Sequence, residues 1–148
     1  MAVTFSYQNA GAPDLHRRGM RPATASLEAL LVDIEADLVI RDGDGVVWSE
    51  MMFPVAELAR ALADWVYQPD GERGDFEFES MSYSEVGAVR IEESAGGWRV
   101  GSVFLTDTDT WASPVGWHSL VAEIRHFVAA VREDVADIGV DPGLVPAL

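Results

Sequence analysis

Cysteine and lysine are both absent from this chain. Without cysteine there is no disulfide, no thiolate metal site and no catalytic thiol. Positive charge is scarce: ten basic residues, all arginine, stand against 25 acids, for a net charge of −15. Nucleic-acid binding needs basic groups to neutralise phosphates, so a chain this negative is expected to bind neither nucleic acid nor an anionic membrane. There is no apolar run of the roughly 20 residues that cross a bilayer. Residues Met1 to Tyr7 lack the basic flank and apolar core of a signal peptide. The expectation is a soluble, cytoplasmic protein with no metal and no cofactor.

The hydrophobic fraction, 49% of 148 residues, is that of a globular chain and is compatible with one domain spanning 1–148. The all-arginine usage, with abundant Ala, Val, Gly and Asp, fits a GC-rich coding sequence. The acidity is uneven. Residues 28–95 carry 17 acids against 4 arginines, a net of −13, whereas residues 1–27 are net positive. Such a surface repels anions and speeds encounter with basic proteins, by about 10–1,000-fold at low salt.

Val3, Phe5 and Tyr7 alternate as in a short strand. Residues 9–26, with Gly11, Pro13, Gly19 and Pro22, read as a loop or mobile arm. Over 29–41, Leu30, Val32, Ile34, Ala36, Leu38 and Ile40 alternate with a second face that carries Asp33, Glu35 and Asp37, the period of a half-buried strand. Asp42-Gly43-Asp44-Gly45 is a hairpin turn, with a return strand from about Val46 to Phe53. Pro54 suits the first position of a helix over 54–67, with Val55, Leu58, Ala59, Leu62, Trp65 and Val66 at helical spacing. Three more strands are expected near 75–83, 86–94 and 97–105, with Ala95-Gly96-Gly97 as a tight turn. A polar loop, Thr106 to Gly116, follows. The stripe Leu120, Ile124, Phe127, Val128, Val131, Val135 and Ile138 marks a last helix that Gly139 stops. Residues 140–148 are expected to lie extended. The order β-β-β-α-β-β-β-α predicts an α+β fold, a curved antiparallel sheet of five to six strands with both amphipathic helices on one face.

Asp33, Glu35 and Asp37 would then stand about 6.6–6.8 Å apart along one strand, and Glu77 and Glu79 would form a shorter ladder. Repulsion between such neighbours is only about 0.6 kcal/mol in bulk water. A solvated sheet face partly paired with arginines accounts for the ladders; so does a docking face for a basic protein. The spacing also suits glycosidase carboxylates, but an open strand face offers no cleft to desolvate one of them. Asp42-Gly43-Asp44-Gly45 and Asp107-Thr108-Asp109 lack the later ligands of a calcium loop and read as turns. His118 and His126, eight apart on a helix, are not an i, i+4 zinc pair, and His16 lies in the arm. Trp65, Trp48 and Trp98 fall on core-facing positions. Trp111 and Trp117 flank the polar loop and either close the core edge or anchor a contact surface.

Two stretches, Phe53-Pro54-Val55-Ala56-Glu57-Leu58-Ala59-Arg60-Ala61-Leu62 and Gly96-Gly97-Trp98-Arg99-Val100-Gly101-Ser102, resemble segments of small acidic proteins of GC-rich bacteria. In size, acidity and layout the chain is similar to immunity proteins of toxin systems, which block a toxin, often a basic nuclease. The resemblance implies an acidic protein-binding domain of the immunity type, with a basic protein as partner. On that reading Asp33, Glu35, Asp37, Glu77, Glu79, Trp111 and Trp117 form the contact surface. Two other readings stand beside it. One is a small enzyme or ligand-binding domain with a pocket near His118, His126 and Trp111. The other is a domain that forms homodimers through an exposed sheet edge.

Overall fold

The computed structural model describes residues 2–148, and the chain builds a mixed α+β fold from two antiparallel three-stranded sheets. The first sheet has β1 (Val3–Gly11), β2 (Glu35–Asp42) and β3 (Gly45–Phe53), paired in that order. The second has β4 (Phe76–Glu77), β5 (Arg90–Ser94) and β6 (Gly97–Gly101). The expected single curved sheet does not form, because β3 never pairs with β4. The expected strand over 75–83 shrinks to Phe76–Glu77, and pairing continues only through Phe78, which bonds to Val89 and Gly87. Beyond it the backbone is captured by the helix after β3. The buried Glu57 accepts a 2.5 Å hydrogen bond from the Ser80 hydroxyl and a 3.1 Å bond from the Met81 N–H. The strands expected over 86–94 and 97–105 are likewise shorter, because the chain turns away after Gly101.

Two long helices enclose the core, as their stripes predict. In α3 (Val55–Tyr67), Val55, Leu58, Ala59, Leu62 and Trp65 are buried. Pro54 caps this helix from outside, one position earlier than expected. In α4 (Trp117–Ile138), Leu120, Ile124, Phe127, Val128, Val131 and Val135 are buried, and Gly139, at φ 98°, ends it in the left-handed conformation that glycine adopts without a Cβ penalty. The helices pack on one another; α4 lies on β1 and reaches β6, and α3 touches β2. Leu58, Leu62, Leu120, Ile124, Phe127 and Ile91 are among the largest fully buried side chains. Each contributes about 1.5–3 kcal/mol relative to exposure. No helix among the described residues is long and apolar enough to cross a membrane.

Three further expectations change. The alternation expected over 29–41 begins only at Glu35, because Leu27–Asp33 is a helix, α2. Leu27, Leu30, Leu31 and Ile34 also satisfy an i, i+3, i+4, i+7 pattern, and the Ser26 hydroxyl accepts from the Ala29 N–H as an N-cap. Residues 9–26 are not a free arm. β1 extends to Gly11, a short helix α1 (Pro13–Arg17) follows, and Leu15 is buried. The tail 140–148 is not extended throughout: Pro142–Leu144 makes a 3-10 turn, and Val140, Leu144 and Val145 enter the core. Arg60 donates to Leu144 O at 2.9 Å, Arg132 to Pro142 O at 3.0 Å and the Tyr67 hydroxyl to Ala147 O at 2.7 Å.

The strand edges are treated differently. On β1, the Phe5 N–H donates to Glu123 Oε1 at 2.8 Å and the Tyr7 hydroxyl to Asp134 Oδ2 at 2.5 Å, both acids from α4. Burial, then the Asp134 contact, pushes the Tyr7 hydroxyl far above its ordinary range. The outer side of β6 is covered by residues 112–115, with reciprocal bonds of 2.8 and 2.9 Å between Trp98 and Val115. The Asp42–Gly45 hairpin at the β2–β3 end is tied to the same segment, since Asp42 Oδ2 accepts from the Ser113 N–H at 2.8 Å.

Candidate functional site

The acidic ladder expected on one strand is dispersed. Asp33, the last residue of α2, is 2% exposed and ion-paired with Arg18. Because the chain changes from helix to strand at Ile34, Asp33 does not share the pleat of Glu35 and Asp37. Glu35 is half-buried; burial first, then the charge of Asp14, raises its carboxyl above the ordinary range, against the pull of Arg17. Asp37 is occupied by its neighbours. Its Oδ2 accepts from the Asn9 amide at 2.8 Å and its Oδ1 from the Met52 N–H at 3.2 Å, and these bonds hold its carboxyl below the usual range. These three residues do not make a free anionic face.

Glu77 and Glu79 do join a larger constellation. With Asp64 and Asp75 they line a surface groove of about 350 Å³ between α3 and β4, alongside Trp65, Phe76, Ala61 and Gln68. Asp64 projects from the exposed side of α3, whose opposite side is the buried stripe. Asp75, just before β4, turns one oxygen to the Glu93 N–H at 3.1 Å. Glu77 and Glu79 point outward because Phe76 and Phe78 take the buried positions of the same alternating segment. Arg90 is the local cation, and it is shared: 3.2 Å from Glu77 and 2.7 Å from Glu92. Among the described residues no arginine pairs with Asp64, Asp75 or Glu79.

One wall of the groove continues into an aromatic cluster. Trp65, Trp98 and Trp117 meet pairwise with ring centroids 5.3–5.5 Å apart. The Arg73 guanidinium lies 4.2 Å from the Trp117 ring centroid. It also donates to Trp65 O at 3.1 Å, Val66 O at 2.9 Å and Gln68 O at 2.5 Å, closing the C-terminal end of α3 where no basic residue occupies the last turn. Trp117 is therefore half-buried inside a structural cluster and exposes one side to a second depression of about 230 Å³, beside Asp70 and Glu93. Trp111 is buried against Gly101 and closes the core edge. Sequence reasoning passed over Asp64, Asp75 and Arg73. An arginine six residues beyond a helix lacking a basic last turn was the available signal for Arg73.

The alternative pocket residues do not converge. His118 and His126 are exposed on α4, about 12 Å apart along its axis. His126 borders a shallow groove with Ser6, Tyr7 and Asp134, which Trp111, buried against Gly101 of β6, does not line. No group of three or more His, Asp or Glu side chains among the described residues is placed to hold a metal ion.

A family described as a domain of unknown function (DUF7878) matches residues 5–137. The chain belongs to this family. No curated protein and no solved structure matches it. The DUF7878 match takes in all but the first two residues of β1, the rest of both sheets, α3 and all but the last residue of α4, so the whole acidic groove lies inside it, whereas the 3-10 turn of the tail lies beyond.

In this DUF7878 domain the groove is open to solvent and offers carboxylates around the nearly buried Trp65 and Phe76. Such a surface is suited chemically to cationic groups, whose charge its carboxylates attract.

Proposed function

We propose that this protein is an acidic protein-binding domain that receives arginine or lysine side chains of a basic partner in the α3–β4 groove, as an immunity-type inhibitor of a basic toxin or enzyme. The observation that carries the reading is that Asp64, Asp75 and Glu79 flank Trp65 and Phe76 with no arginine of the chain paired to them among the described residues. The charge of the middle segment favours rapid encounter with a cationic protein. The contact surface is then the Glu77–Glu79 segment with Asp64 and Asp75, rather than Asp33, Glu35 and Asp37.

The experiment measures association with a panel of small basic nuclease domains as a function of salt. At least one is bound by the native chain, and the triple variant D64N/D75N/E79Q slows that association about tenfold at low salt and flattens its salt dependence. An unchanged rate and slope in the triple variant rejects the groove. Failure to bind any member of the panel rejects the inhibitor reading.

A further inference from the structure

β3 is an edge strand with a free side. It pairs with β2 alone, and among the described residues no backbone–backbone hydrogen bond outside that pairing involves residues 46–52; the Met52 N–H is taken by the Asp37 carboxylate. The contrast with β1 and β6, whose edges are covered by α4 acids and by residues 112–115, is sharp. An open edge presents unpaired N–H and C=O groups that another extended segment can satisfy. Bulges on either side, where the register with β2 shifts between Ala36 and Leu38 and between Ile40 and Arg41, leave Trp48-Ser49-Glu50 as the regular portion. The usable edge is therefore short, which suits a brief segment rather than a second full strand.

The side chains around it are apolar on both faces, with one acid, Glu50, on the strand itself. On the inner face Trp48 stacks on Phe104 at 6.1 Å and 20°, and Tyr83 lies 6.2 Å from the same ring. Phe104 remains 44% exposed. On the outer face Met51 is 71% exposed. Glu50 is exposed on the same face of the strand as Trp48. Burial, then the charge of Glu50, raises the Tyr83 hydroxyl to about 12. A second copy of this chain would bring Glu50 and a net −15 against their like, so self-pairing is opposed. The same charges favour an incoming cation.

We infer that the β3 edge accepts a short extended segment of a partner protein in which an apolar residue and an arginine or lysine stand two positions apart, on one face of the segment. Its backbone pairs with Ser49, whose N–H and C=O face away from β2, its apolar side chain covers Phe104 beside Trp48, and its cation meets Glu50 on the same face. This surface is separate from the α3–β4 groove and does not rest on the groove's proposed role.

The test uses the full chain and a fluorescent Thr-Val-Thr-Arg-Thr peptide, with one analogue N-methylated at its central Thr and another carrying Asp for Arg. Binding of the first peptide, weakened tenfold or more by either analogue, is expected. Substitutions F104S and E50Q, both at exposed positions, weaken it by a similar factor, with circular dichroism confirming the fold. The groove variant D64N/D75N/E79Q leaves it unchanged, which separates this surface from the groove. Absence of binding, or equal binding by the N-methylated analogue, overturns the inference. So does sedimentation of the native chain as a dimer that E50Q leaves intact.

Discussion

The Asn9 amide donates a 2.8 Å hydrogen bond to Asp37 Oδ2, at the point where β1 carries an extra residue against β2. Opposite, β3 carries its own irregularity, and Met52 donates its N–H to the other oxygen of Asp37. Both partners have left-handed backbones, Asn9 at φ 60° and Met52 at φ 55°. Asparagine tolerates that region far better than methionine, whose longer side chain has no local hydrogen bond to offset it. One carboxylate thus pins a bulge on each neighbouring strand, and an acid that looks like part of a binding face is a staple of the sheet.

Removing the staple destabilises the first sheet. Asp37→Ala leaves the Met52 N–H and the Asn9 amide without their acceptor, so the urea midpoint falls while the slope stays constant. Met52→Gly, which suits the left-handed backbone, recovers part of that loss in the D37A background.

Acid should erase the advantage of Asp37. Its carboxyl titrates below the ordinary value because the charged form is hydrogen-bonded in the fold. The stability it contributes is present above the unfolded value of about 4 and is lost as pH falls through the folded value. The stability gap between the native chain and D37N is therefore full at pH 6–8 and closes below about pH 4. Glu35 has the opposite sign: burial raises its carboxyl, so the fold is favoured as pH falls through that raised value. Glu35→Gln should stabilise the protein at pH 7 and make no difference in acid. Denaturation series at several pH values check both.

Arg73 joins the end of α3 to the tryptophan cluster. Its side chain is 8% exposed, and its donors reach Trp65 O, Val66 O and Gln68 O. Arg73→Ala strands those carbonyls and uncovers Trp117, at a cost of about 3 kcal/mol. Arg73→Lys recovers less than half of it, since one ammonium cannot reproduce the planar fork. Equal stability of R73K and the native chain in urea would contradict this account.

Gly101 has no room for a side chain. A Cβ there would stand 2.0 Å from Trp111 Cδ2. Gly101→Ala must displace the buried indole, at about 1–3 kcal/mol or more. The difference in emission between the G101A protein and the same protein carrying W111F reports an indole moved towards water, and unchanged emission and stability would show that the site can relax.

Local patterns were sufficient for α3, α4, the β2–β3 hairpin and the β5–β6 turn, because each shows itself in a period or a turn residue within a dozen positions. Alternation misled at Leu30 to Asp33, where a helical spacing coincides with it and the Ser26 cap decides between them. The sequence alone established an acidic, cysteine-free α+β chain with its charge in the middle. Which acids are free was a tertiary matter. Arg18 meets Asp33 fifteen residues away, Asn9 and Met52 meet Asp37 from two other strands, and Asp64 and Glu79 come to line one groove. Periodicity reports only whether a side chain faces in or out. Pairing between distant segments depends on where the chain turns back and what covers each strand edge.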